Sequence, residues 1–246
     1  MTVRLGLAGD PGAVRAGEAE LAAFLGRLVR WDRTAVVRLR SDEGEPALGV
    51  FGHPPFGGVL AVKSVALGGA GIATPVDATV SAGELLEALA AIADEGEFGV
   101  PASVTGPAWA GVLPPRGGWH RDAVLEAALV REAAARTVAE FRSRTEALVP
   151  EQRTRAEMDA LAEELWTRPL AGPARGVTLR IVHAAHALGF LQPAAAAAGG
   201  SRPDEQIAVL SAGPWLRLRT GYGSVAMRSS QSAASGLTVS PRPATA

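Results

Sequence analysis

The sequence predicts an α+β fold in two parts. Residues 1–120 read as an antiparallel sheet with flanking helices, residues 121–228 as a helical unit ending in a hairpin, and 229–246 as a disordered tail. Three observations predict this. A helix-period run from Asp10 gives way at Ala35 to alternating strands whose connections are too short for parallel crossovers. After Asp122 the helical period returns three times before alternation resumes over Ile207–Arg219. A length of 246 residues, 48% hydrophobic, supplies core for one large or two modest domains.

In the first part, Asp10-Pro11 has the residues of a helix start: an N-cap carboxylate, then a proline where no amide donor is needed. The helix carries Val14, Leu21, Phe24, Leu25 and Leu28 on one face and ends near Trp31. Strands follow at 35–40, 47–51, 59–67 and 76–80, with Ser41–Gly44 as a turn. Ser81-Ala-Gly-Glu84 has the spacing of a capping box and opens a helix that buries Leu85, Leu86, Leu89 and Ile92. Residues 94–118, rich in Gly and Pro, form an extended connection containing Trp109 and leading to Trp119.

In the second part, a long helix is expected from Asp122 to Val149, stopped by Pro150. Thr154-Arg-Ala-Glu157 caps a second helix with Met158, Leu161, Ala162, Leu165 and Trp166 on one face. A third begins near Thr178, turns Ile181, Val182, Ala185 and Leu188 inward, and ends at Gly189. Ala194–Gly200 reads as a mobile loop, Ile207–Arg219 as a hairpin around Ser211-Ala-Gly-Pro214, and Ser229–Ala246 has too little apolar material to fold.

Absent cysteine excludes disulfides, thiolate metal centres and cysteine nucleophiles. The start, Met1-Thr-Val-Arg-Leu-Gly, has no secretory pattern and no run is apolar enough to span a bilayer, so a cytoplasmic protein away from membranes is expected. Lys63 is the single lysine beside 23 arginines, a bias that makes arginine content a weak signal and arginine position the useful one. Residues 1–120 carry a net −4, residues 121–246 a net +3, and the stretch from Arg168 onward +6, which directs any polyanion contact to the C-terminal part.

The enzyme motifs fail individually. Gly57-Gly-Val-Leu-Ala-Val-Lys-Ser64 has Val62 where a phosphate loop needs glycine, and it alternates as a strand. Gly69-Ala-Gly71 lacks a third glycine, Gly221-Tyr-Gly-Ser224 is not a nucleophile elbow, and no HExxH occurs. His183 and His186 have no carboxylate on their helix to complete a metal site. No cofactor, no metal and no catalytic role are expected.

The succession helix, helix, turn, helix, hairpin over Asp122–Arg228, with Leu188-Gly-Phe190 closing the third helix, resembles a winged helix-turn-helix. That resemblance implies that Arg180 and His183 read the major groove and that Arg217 and Arg219 act from the wing. Arg175 in the preceding turn and Arg228 join them at the backbone, with duplex DNA as partner and transcription regulation as role. The helix–four strands–helix order of Asp10–Ile92, ending in Val76-Asp-Ala-Thr-Val-Ser-Ala-Gly-Glu-Leu-Leu-Glu-Ala-Leu89, is similar to one repeat unit of processivity clamps. The whole resembles two-domain proteins of high-GC Gram-positive bacteria through its Leu-Gly-Phe-Leu and Trp-Leu-Arg-Leu stretches, a likeness that implies no activity. The alternatives are a non-catalytic interaction protein, homodimeric through the 122–149 helix, and a ligand-binding or hydrolytic first domain around His53, Asp77 or Arg38.

Overall fold

The computed structural model describes residues 3–68, 75–91, 97–192 and 206–228. The expected mobile loop at 194–200 and the expected tail at 229–246 lie outside the described residues.

Helix α1 (Pro11–Trp31) starts where the sequence predicts it, because the Asp10 carboxylate accepts from the amides of Gly12 and Ala13, each at 2.9 Å. Its stripe of Leu21, Phe24, Leu25 and Leu28 is buried. Strands β2 (Val36–Ser41), β3 (Ala47–Gly52) and β4 (Val59–Ala66) form an antiparallel meander, and β5 (Val76–Ser81) pairs with the free side of β2. Helix α2 (Ala82–Ala90) begins at Ser81, whose hydroxyl accepts from the Glu84 amide at 3.3 Å. Two short strands, β1 (Arg4–Gly6) and β6 (Glu97–Gly99), pair with each other as a separate ribbon.

The expected helix at 122–149 divides. Its first residues form strand β7 (His120–Glu126), and α3 begins only at Ala127, running to Ala147. Ala123 and Leu125 alternate toward the core in register with strand β8 (Gln206–Ala212), and that long-range pairing outweighs local helix propensity. Helix α4 (Arg155–Thr167) starts at Thr154, which accepts from the Glu157 amide at 3.3 Å. Helix α5 (Leu179–Ala187) is followed by β8 (Gln206–Ala212), β9 (Trp215–Thr220) and β10 (Gly223–Arg228).

Among the described residues, eight strands join into one sheet in the order β5-β2-β3-β4-β10-β9-β8-β7. The two halves of the chain meet at β4 and β10, which run antiparallel with Ser224 opposite Val62 and Ala226 opposite Leu60. The main apolar cluster follows: Val37, Leu39, Val50, Val59, Val209, Leu218 and Val225 on one face of the sheet pack with Phe24, Leu25, Leu85, Val130 and Ile181 of the helices. Full burial of each such side chain is worth about 1.5–3 kcal/mol. Among the described residues, no helix is long and apolar enough to cross a membrane.

This architecture corrects the winged-helix expectation. Ile181, Val182, Ala184 and Ala185 are all completely buried, so α5 is an interior helix covered by α3 and α4 rather than a projecting recognition helix. The supposed wing is flanked by β7 on one side and by β10 on the other. The short apolar stretch Gly223–Arg228 makes the difference, since as β10 it pairs with both β9 and β4 and leaves the hairpin no free edge.

Candidate functional site

Successive strand residues point to opposite faces. On β9, Leu216 and Leu218 face the helices, which sends Trp215, Arg217 and Arg219 to the other side of the sheet. Two cross-strand rows result there. One runs Arg121, Leu210, Arg217, Ala226, Leu60 across β7, β8, β9, β10 and β4; the next runs Val124, Ala208, Arg219, Ser224, Val62. Strand spacings put the Arg217 and Arg219 backbones about 7 Å apart and Arg121 about 10 Å from Arg217.

Part of this face is covered. The connection to β7 lays Trp109, Leu113 and Trp119 over Leu60, Trp215 and Ala226 as a second, small apolar cluster. Trp119 is anchored by its indole N–H, which donates to the Pro115 carbonyl at 2.9 Å. Trp109 stacks on His53 at 5.8 Å between ring centroids, and burial holds the His53 pKa below its ordinary value. Beyond the cover lies a groove of about 570 Å³, lined by Arg121, Arg217, Arg219, Ser64, Ser224 and Gln206 together with the Gly221-Tyr-Gly223 turn.

Arg217 is held in the groove from two sides. Its Nε–H donates to Ser224 Oγ at 2.8 Å, and its guanidinium carbon sits 5.5 Å from the centroid of the Trp119 ring. Burial, and after it the charge on Arg219, pull its pKa below the ordinary arginine value. Among the described residues, none of Arg121, Arg217 and Arg219 forms an ion pair. A half-buried guanidinium beside another one, with neither neutralised, favours an anion.

The helical side behaves in the opposite way. Arg144 grips Glu164 through both terminal nitrogens at 2.7 and 2.8 Å, and Arg168 bonds Glu140 at 2.8 Å and Glu164 at 2.6 Å. Hydrogen bonds from Arg144 and then Arg168 push the Glu164 carboxyl down to about 2. Positive charge there is already spent on carboxylates.

The six residues singled out from sequence divide accordingly. Arg217 and Arg219 line the groove, and Arg228 is exposed on the same face at the end of β10. Arg180 lies on the helical side, its Nη2 on Glu163 Oε2 at 2.6 Å and its side chain only 14% exposed against Gly57. His183 is packed between Trp166, at 4.2 Å, and Phe56, at 5.0 Å, so it does not reach outward as the winged-helix resemblance implied. Arg175 is exposed in the turn before α5 and is not part of the groove. Sequence reasoning missed Arg121, Ser64 and Ser224. No local signal marks Arg121 as a strand residue, since the register shift between Arg121 and Ala123 interrupts the alternation of β7.

Lys63 closes one end of the groove without being free to bind. From β4 its Nζ donates to Glu20 Oε2 at 2.5 Å and to the Tyr222 carbonyl at 2.9 Å, tying the β9–β10 turn to α1. Among the described residues, no group of three or more His, Asp or Glu side chains is placed to hold a metal ion.

Residues 12–111 match the family model of a domain of unknown function, DUF8010, and residues 114–232 that of a second domain of unknown function, DUF8185. No curated protein matches the sequence. Among solved structures, the chain is similar to a DNA polymerase sliding clamp from Pseudomonas aeruginosa, with 13% identity and a TM-score of 0.48 over 86% of this chain and 62% of that one. It is likewise similar to Caulobacter crescentus pol III beta, with 12% identity and a TM-score of 0.47 over 93% of this chain and 65% of that one. The chain thus spans 62–65% of the length of these clamp subunits.

Proposed function

We propose that this chain is a non-catalytic DNA-binding protein that takes the phosphate backbone into its sheet-face groove, with Arg121, Arg217 and Arg219 as the phosphate ligands. One observation carries the reading: Arg217 is oriented by Ser224 and Trp119, half-buried, adjacent to Arg219, and not ion-paired among the described residues. Phosphate contacts of this kind position a nucleic acid without reading its bases. The regulatory role expected from the winged helix loses its support together with that motif.

The test is fluorescence anisotropy of a labelled duplex and of its separate strand across a salt series. Three phosphate contacts give a log–log slope of about −2.7 on duplex and about −2.1 on a single strand. Arg217→Ala or Arg219→Ala should each make the slope shallower by about 1 on the form that binds. Absence of binding to either form at about 50 mM salt, where phosphate contacts are strong, would end the proposal.

A second reading, self-association, is favoured by Leu129 on α3, which is 62% exposed beside an apolar cavity of about 470 Å³ between α3 and residues 169–173. The occupant on this reading is a second copy of the chain. A monomeric mass by light scattering at every concentration would exclude it.

A further inference from the structure

We infer that the DNA taken by the groove is single-stranded, and that an unpaired base stacks on Trp119. This rests on the phosphate-binding reading above and adds to it the form of the strand.

The shape of the face argues against a duplex. A duplex is stiff and carries its phosphates on the outside of a wide cylinder, so it cannot lie down into a recess in a sheet face. Here β9, which carries Arg217 and Arg219, lies inside an eight-stranded sheet with neighbours on both sides, so it cannot protrude. Arg217 is also recessed beneath Trp119 and beside Ser224, within reach of a backbone that lies down in the groove. A single strand is narrow and flexible enough to do that.

The side chains argue for unpaired bases. Single-strand binders combine a cationic track for the backbone with aromatic rings on which bases stack, and every base offers such a face. Both components adjoin on this face: the row of Arg121 and Arg217 ends at Ala226 and Leu60 under the segment that carries Trp109 and Trp119. Trp119 remains partly exposed and is fixed in orientation by its bond to Pro115. Arg217 lies 5.5 Å from the centroid of that ring, so a phosphate held by Arg217 leaves the adjoining base beside the exposed part of the indole.

The experiment compares three labelled probes on the full chain at about 50 mM salt: a twelve-residue oligothymidylate, an abasic strand of equal charge, and a duplex of equal length. Oligothymidylate is expected to bind about tenfold more tightly than the abasic strand and to quench tryptophan fluorescence. Trp119→Ala should cost oligothymidylate about tenfold more than it costs the abasic strand, so that the preference between them disappears. Trp119→Phe keeps a ring for stacking, so it should retain most of the affinity while losing the quench, a readout that survives if the alanine variant folds poorly. Equal affinity for oligothymidylate and abasic strand, or tighter binding of the duplex, overturns the single-strand inference while the phosphate reading stands. An equal loss for both strands in Trp119→Ala also overturns it, since the indole would then only prop Arg217. Failure of all three probes overturns the groove reading itself.

Discussion

Acidification should loosen the packing of α5 on α4 through one side chain, His183. Its ring is stacked on Trp166 at 4.2 Å and met edge-on by Phe56 at 5.0 Å, and its buried Nδ1 has no hydrogen-bond partner among the described residues. Burial, and after it the charge on His186, lower its pKa from the ordinary 6.5 to about 4. The other charged groups on its cavity are Asp159, Glu163 and Arg180, the last two paired with each other. Because the folded value lies below the unfolded one, the unfolded chain binds the proton first, and stability falls as pH drops through 6.5 toward 4. Those two values imply a loss of about 0.8 kcal/mol by pH 6 and about 2 kcal/mol by pH 5, levelling near about 3 kcal/mol below pH 4. The assay is denaturant unfolding of the wild type and of His183→Phe, which keeps an aromatic ring and removes the titration, at pH 7.5, 6 and 5. The wild type should lose stability relative to the variant by those amounts. Identical pH dependence in the two proteins, or an NMR titration of His183 centred near 6.5, would exclude His183 as the origin of the acid sensitivity.

Leu218→Ala, at a completely buried position in the middle of the sheet, should cost about 2–5 kcal/mol in denaturant unfolding, with both halves of the chain unfolding together because they share one core. Gly189→Ala should lower the Tm, with a cost of about 1 kcal/mol or more: Gly189 has φ +74°, and a Cβ there would come within 2.6 Å of the Arg27 guanidinium. Ser81→Ala removes the hydroxyl that accepts from the Glu84 amide and should cost about 1 kcal/mol, measured in the same way.

Much of the fold was legible because it rests on local chemistry. Asp10, Ser81 and Thr154 announce three helix starts, and each side chain accepts the amide hydrogen bond its position predicts. Alternation located β2, β3, β4, β5, β8 and β9 for the same reason, since period 2 is written in consecutive residues. The failures came where pairing at long range decides. His120–Glu126 sits at the head of an Ala-rich helical run, and only β8, more than 80 residues away, makes it a strand. Gly223–Arg228 lacks a clear alternation of polar and apolar residues, and it becomes β10 because β4 and β9 offer it two partners. Taking that stretch as a mere end of the hairpin produced the winged-helix reading and, with it, the roles given to Arg180 and His183.

By itself the sequence determined the absence of cysteine chemistry, the Lys63 segment as a strand instead of a phosphate loop, the helix caps, and the concentration of positive charge after Arg168. Each of these depends on residue type or on neighbours a few positions apart. Only the tertiary structure decided which arginines are free. Arg180 and Arg217 look alike in sequence, but α4 brings Glu163 to the first, whereas sheet register brings the second Trp119, Ser224 and a second arginine. Charge compensation is a matter of distance in space, and the partners that supply or withhold it lie on elements that meet only when the chain has folded.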